Sequence, residues 1–426
     1  MGIKKDLAEL LEQKIISETT AAEIRDFYEQ KQERLSGRLF TIFSVLGAVL
    51  VGLGIILIVA HNWEELSKSV KTILAFIPLA IGQIAAGYTL LKRKESTAWR
   101  EGSGAFLFFA VGACLALISQ IYQLPGSIGD FLFSWMLLVL PIIYVLGSGI
   151  VNLFFLFGIT YYAAETGYMN PIDAKERYWY WILLAASLPF YYQLYRKAPG
   201  SNMMAFHNWV LPLSLVIVLG TIGQSPTAYF LYLAYVALFG CFYLFGQWPD
   251  FTRYGLRNNG FLAIGGLGIF VVLLWLSFSE MWENLQEETF STSMVFSAPE
   301  FWVAFIISIL LIVLLRKAYQ QQFSFLWALP AASLLFIPIF GIGFYSLNVL
   351  VLINLLILAL AIITIIEGNR RDDLGIMNYG LLLIGGLMWC RFLDTELSFT
   401  VRGILFVLVG SGFFLTNFYM VKKKRN

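Results

Sequence analysis

The stretch LFTIFSVLGAVLVGLGIILIVAHNW, Leu39 to Trp63, decides how this chain must fold. No charged side chain occurs from Leu39 to Ala60, where Leu, Ile, Val, Phe, Gly and Ala dominate. As a helix rising ~1.5 Å per residue, that run reaches roughly 33 Å, enough to cross a hydrocarbon core of about 30 Å. Arg34 and Arg38 precede it and His61-Asn62-Trp63-Glu64-Glu65 follow it, so both ends are marked. It is too long and too far from the N-terminus for a signal-peptide core, and no small-residue cleavage site follows. It reads as a membrane-spanning helix.

The rest of the chain agrees. Of 426 residues, 59% are hydrophobic and 13% charged, where a soluble domain carries about 25% charged residues. That deficit excludes a water-soluble enzyme of this size. The net charge of +2 is too near neutral to suggest nucleic acid, and the basic residues form no block with interleaved aromatics. Cys114, Cys241 and Cys390 lie singly in apolar runs without CxxC spacing, which argues against a disulfide framework or a thiolate metal site.

Thirteen further apolar runs follow, near 70–91, 104–124, 131–147, 148–165, 178–195, 206–222, 227–246, 258–278, 300–315, 325–343, 347–367, 375–391 and 398–420. The fold expected is all-α: a polytopic bundle of about 14 transmembrane helices over residues 39–426. Little more than Gly147-Ser148-Gly149 separates the fourth run from the fifth, so that boundary is the thinnest. With the N-terminus in the cytoplasm and sides alternating, 23 of the 29 Lys and Arg fall inside. The six outside are Lys68, Lys71, Lys175, Arg177, Arg391 and Arg402. The positive-inside rule therefore predicts both termini in the cytoplasm.

Residues 1–38 form the one extended polar region. Leu7, Leu10 and Leu11 recur at helical spacing, as do Ala21, Ile24 and Phe27 or Tyr28. A short cytoplasmic helical hairpin is expected, Ile3 to Lys14 and Glu18 to Arg34. Ser17 can cap its second helix, or Thr20-x-x-Glu23 can form a capping box. The hairpin is either a solvated lead-in or a docking module for a cytoplasmic protein partner, since two helices cannot bury both apolar stripes alone. At the other extreme, the longest outer loop, about Ser279 to Pro299, carries Glu280, Glu283, Glu287 and Glu288 with no Lys or Arg. It reads as a solvated loop with a general attraction for cations.

One internal echo stands out. Asn258-Asn259-Gly260-Phe261-Leu262-Ala263-Ile264-Gly265-Gly266-Leu267 lines up with Asn378-Tyr379-Gly380-Leu381-Leu382-Leu383-Ile384-Gly385-Gly386-Leu387. It is either a parallel repeat of the kind transporters carry or the common look of Gly-rich apolar helices. In both cases the glycines permit close helix packing.

Polar groups inside a bilayer cost free energy unless paired, which makes them functional candidates. No Asp or Glu falls mid-span, which lowers a proton- or sodium-coupled mechanism; the mid-span polar residues are Gln83, Asn152, Asn354 and Asn417. The richer collection sits at the outer ends of odd-numbered helices: His61, Asn62, Trp63 and Glu64; then Ser119, Gln120, Tyr122 and Gln123; then Arg391 and Asp394, with Arg402 opening the last span. If the bundle gathers these ends, they surround one outward-facing cleft. The competing account makes Trp63, Tyr122 and Trp389 an interfacial belt while Arg391 pairs with Asp394 or snorkels. The two histidines, each in an HNW triplet (His61-Asn62-Trp63 and His207-Asn208-Trp209), fall on opposite faces about 30 Å apart and cannot share a metal or haem. No cofactor and no metal site is expected. A lipid-linked glycosyltransferase has a comparable helix number but carries a long first outer loop, which this chain lacks.

The hairpin with IISETTAAEI, the first span ending AHNW at 60–63, and SQIYQL at 119–124 resemble the bacterial membrane family called domain of unknown function 2157. Trp135 and Pro141 in FSWMLLVLP fit the same pattern, and the resemblance covers roughly residues 7 to 150. The ending RFLDTELSFTVRG, an apolar span and KKKR is similar too. The resemblance implies a polytopic inner-membrane protein and assigns no catalytic residues. It raises His61, Asn62, Trp63, Gln120 and Tyr122 as pattern positions. The function expected is binding or movement of a small or lipidic ligand at the outer face by His61, Asn62, Trp63, Gln120, Tyr122, Arg391 and Asp394. A membrane scaffold acting through residues 1–38 comes second. A membrane enzyme comes third, because no nucleophile–base pair is evident.

Overall fold

A computed structural model describes residues 66–169, 178–223, 226–253, 255–320 and 327–393, with short stretches between 17 and 53 and between 399 and 414. The chain divides into two compact units, Met1–Lys197 and Ala198–Asn426. Among the described residues all regular structure is helical. At the N-terminal end Ser17 accepts a hydrogen bond from the Thr20 amide, and residues 19–24 are helical. The remainder of the expected hairpin, most of the first run and most of the last lie outside the described residues.

The first unit contains α1 (Lys68–Lys92), α2 (Thr97–Tyr122), α3 (Ile128–Leu146), α4 (Gly149–Ala164) and α5 (Trp179–Lys197). Chain neighbours pack on one another, and α2 also meets α4. Helices α1, α3 and α4 each start where a serine side chain satisfies an orphan amide of the first turn. Ser67 accepts from Val70 N, and Ser127 and Asp130 form a capping box at α3. The thin boundary between α3 and α4 is a true turn: Gly147 ends α3 in the left-handed region at φ 62°, where a Cβ would be strained. Ser148 then caps α4 by accepting from Val151 N.

The second unit contains α6 (Asn202–Gly220), α7 (Phe230–Gly246), α8 (Gly260–Trp275), α9 (Glu280–Glu287), α10 (Pro299–Gln320), α11 (Ala328–Gly343), α12 (Val349–Arg370) and α13 (Leu374–Leu393). Helix α7 is its core element, packed against α6, α8, α10 and α11. Glycines make the closest approaches: a Cβ on Gly265 would strike the α7 backbone at Tyr243, and one on Gly380 would lie 2.9 Å from Ala361 O on α12.

Every apolar run from 70–91 to 375–391 coincides with one helix. Among the described residues, eight helices (α1, α2, α3, α6, α7 with its preceding turn, α10, α12 and α13) are long and apolar enough to cross a membrane. A ninth span results if α8 and α9, bent by 69° at the break between them, are taken as one. Exposed Ile73, Ile84, Leu91, Ile306 and Val351 give the helices the apolar outer surface that lipid requires. The protein is an integral membrane protein of multi-pass helical build.

Two features depart from the sequence reading. The acidic stretch 279–299 is partly helical: Met281, Trp282 and Leu285 of α9 are buried while its glutamates are exposed. The internal echo is matched in packing at one glycine pair and differs at another: Gly260 and Gly380 both abut a neighbouring backbone, whereas Gly265 abuts α7 and nothing lies within 4 Å of a Cβ on Gly385.

Candidate functional site

Among the polar contacts that interrupt the apolar packing of the described residues, three constructions tie helix ends together. The first lies at the start of α4. Glu101 of α2 is only 4% exposed, so its carboxylate must be satisfied from within. It accepts from Ser148 Oγ, from Gly149 N at 3.2 Å and from Ile150 N at 2.9 Å. A carboxylate at a helix N-terminus meets both free amides and the positive end of the helix dipole.

The second gives the HNW triplet at 207–209 a structural role. His207 donates through Nδ1 to Met203 O at 2.8 Å, Asn208 Nδ2 to Asn258 O at 2.9 Å, and Trp209 Nε1 to Arg257 O at 2.9 Å. Two consecutive carbonyls ahead of α8 are thereby tied to α6. Asn259, 1% exposed, donates to Gly246 O at 2.6 Å and accepts from Leu262 N at 3.1 Å, joining the end of α7 to the start of α8.

The third is the break between α8 and α9. Helix α8 ends at Trp275, and Ser277, fully buried, returns its hydroxyl to Leu274 O at 2.7 Å. The exposed carbonyl end of a helix attracts cations and donors. Both arrive as side chains: Trp282 Nε1 donates to Leu276 O at 2.7 Å, and Arg391 Nη2 donates to Ser277 O at 2.8 Å and Ser277 Oγ at 3.0 Å. The guanidinium also stacks over Phe278, 5.0 Å from the ring centroid. Gln286 extends the assembly by donating to Gly343 O, the last residue of α11, at 2.9 Å.

Of the residues singled out in the sequence, Arg391 sits in this construction. Gln120 and Tyr122 belong to the first unit, where exposed Tyr122 Oη lies 3.2 Å from Thr72 Oγ1 and ties the end of α2 to the start of α1. His61, Asn62, Trp63 and Asp394 lie outside the described residues. Sequence reading missed Glu101, Ser277, Phe278 and Trp282. The Met281, Trp282, Leu285 spacing was an available sign of α9; the pairing of Arg391 with a carbonyl 114 residues away leaves no local sign.

Among the described residues, no three His, Cys, Asp or Glu come together as a metal site. Residues 8–152 match the family described as predicted membrane protein (DUF2157), which covers the N-terminal third of the chain. No curated protein and no solved structure matches.

Proposed function

We propose that the protein binds or moves a small anionic or lipidic ligand at the outer face of the membrane, with Arg391 as the receiving cation. One observation carries the reading: a guanidinium held at the broken end of a membrane helix. Discontinuous helices are where many transporters place their ligand sites, because unsatisfied backbone groups collect there. A guanidinium offers five donors in a planar fork suited to carboxylate or phosphate. Ser277 Oγ can rotate away and yield its place to a ligand oxygen while the carbonyl bond keeps Arg391 in position.

The reading includes a threading of fourteen spans, with both termini in the cytoplasm of a bacterial inner membrane. The cross-ties within each unit support it. Glu101 with Gly149 and Trp209 with Arg257 join ends assigned to the inside. Arg391 with Ser277, Gln286 with Gly343 and Tyr122 with Thr72 join ends assigned to the outside.

The test is a density map of the full chain in nanodiscs made from a bacterial lipid extract. Non-protein density against the Arg391 guanidinium, lost in a folded Arg391→Gln variant, is the expected result. A map with no such density, or one unchanged by the substitution, overturns the proposal. His61→Ala is the companion variant for the expectation at the end of the first span.

A further inference from the structure

The first unit holds a second candidate site, separate from the break at Arg391. A groove of about 430 Å³ runs between the helical stretch Ile42–Val51 and helices α1 and α2. Gly47 and Val51 form one wall, Ile81 and Ala85 the second, and Gly102 and Phe106 the third. That volume lies within the roughly 300–1,000 Å³ of small-ligand sites. The glycines create it: nothing lies within 4 Å of a Cβ on Gly47, and a Cβ on Gly102 would meet only Ser44 Cβ, at 3.8 Å.

One end of the groove is marked chemically. Trp99, which lines it, pairs with Tyr88 at 5.2 Å between ring centroids. Tryptophan and tyrosine at a helix end locate the interface between membrane and water. The turn joining α1 to α2 lies there; it carries exposed Lys92, Arg93 and Lys94, followed by half-buried Arg100, and one exposed acid, Glu95. The other nearby acid, Glu101, is turned into the start of α4. From Ala98 to Phe106 the lining then extends about 12 Å into the apolar layer.

We infer that this groove holds one acyl chain of an anionic phospholipid, whose phosphate is received by the basic turn Lys92-Arg93-Lys94 with Arg100. The apolar walls fit a hydrocarbon chain, and the cations at the interfacial end fit the headgroup of the same molecule. A free phosphate would have no use for the groove. A zwitterionic lipid would gain the groove but little from the turn. A Lys or Arg near the surface contributes about fivefold to the binding of an anionic lipid.

The test is native mass spectrometry of the full chain released from nanodiscs of equal phosphatidylglycerol and phosphatidylethanolamine. Wild-type protein is expected to retain phosphatidylglycerol preferentially. Gly102→Leu and Gly47→Leu fill the groove from opposite walls, relieve a helical glycine, and are each expected to lose the retained lipid. Lys92→Gln, Arg93→Gln and Lys94→Gln together alter only the exposed turn; this variant is expected to keep bound lipid and lose the preference by an order of magnitude or more. Equal retention of both lipids by wild type overturns the inference. So does phosphatidylglycerol kept by either folded leucine variant, or an undiminished preference in the triple variant.

Discussion

Glu101 on α2 closes the N-terminus of α4, accepting the amide of Gly149, 48 residues further along the chain. The contact is buried and joins three helices, because Gly149 follows α3 by only Gly147 and Ser148. A carboxylate so placed contributes to the fold more through the amides it satisfies than through its charge.

Glu101→Ala is therefore expected to lower stability by about 1–3 kcal/mol, leaving two amides and a hydroxyl without their acceptor. Glu101→Gln keeps one acceptor oxygen and is expected to fall between alanine and wild type. Unfolding midpoints in detergent measure the order; equal midpoints for all three would refute this account of the carboxylate.

Asn259 must both give and take, since its amide nitrogen donates to Gly246 O and its oxygen accepts from Leu262 N. Asn259→Asp keeps the acceptor but faces the Gly246 carbonyl with a second oxygen. It is expected to destabilise at least as much as Asn259→Ala, by about 1–3 kcal/mol. An aspartate variant as stable as wild type would count against the assignment.

Gly343 ends α11 against the ring of Trp282, where an added Cβ would collide with Cζ3. Gly343→Ala is expected to cost about 1–3 kcal/mol by overpacking. Trp282→Ala, which empties a fully buried site and frees Leu276 O, is expected to cost about 3–5 kcal/mol. Thermal melts of the purified variants give both values, and the double variant should cost less than the sum because the residues touch.

The threading is open to reporter fusions. Green fluorescent protein joined after Lys197 or Asn426 is expected to fluoresce, and alkaline phosphatase inserted at Glu283 to be active. Phosphatase activity at Lys197, or fluorescence at Glu283, would contradict the proposed sidedness.

Much of the helical layout could be read from the sequence, because in lipid the apolar run itself defines the element. Even Gly147-Ser148-Gly149 carried its turn openly, as a left-handed glycine followed by a capping serine. Polar ties were hidden for a physical reason. Arg391 bonds a backbone carbonyl, and every residue has one, so no residue type at 277 announces the partner. Glu101 lies just before the apolar run 104–124, and its burial depends on α4, which approaches from elsewhere in the chain. Of the outer-end candidates, Arg391 and Tyr122 have described partners; their side chains are long enough to reach the neighbouring helix.

The linker between α3 and α4 also bears on how the protein is made. Two residues separate the helices; under the proposed threading, in which both are spans, that is too few for a ribosome-bound chain to insert one and leave the other waiting in water. The pair is expected to leave the translocon as a folded hairpin, with Glu101 already present on the emerging chain to receive its turn.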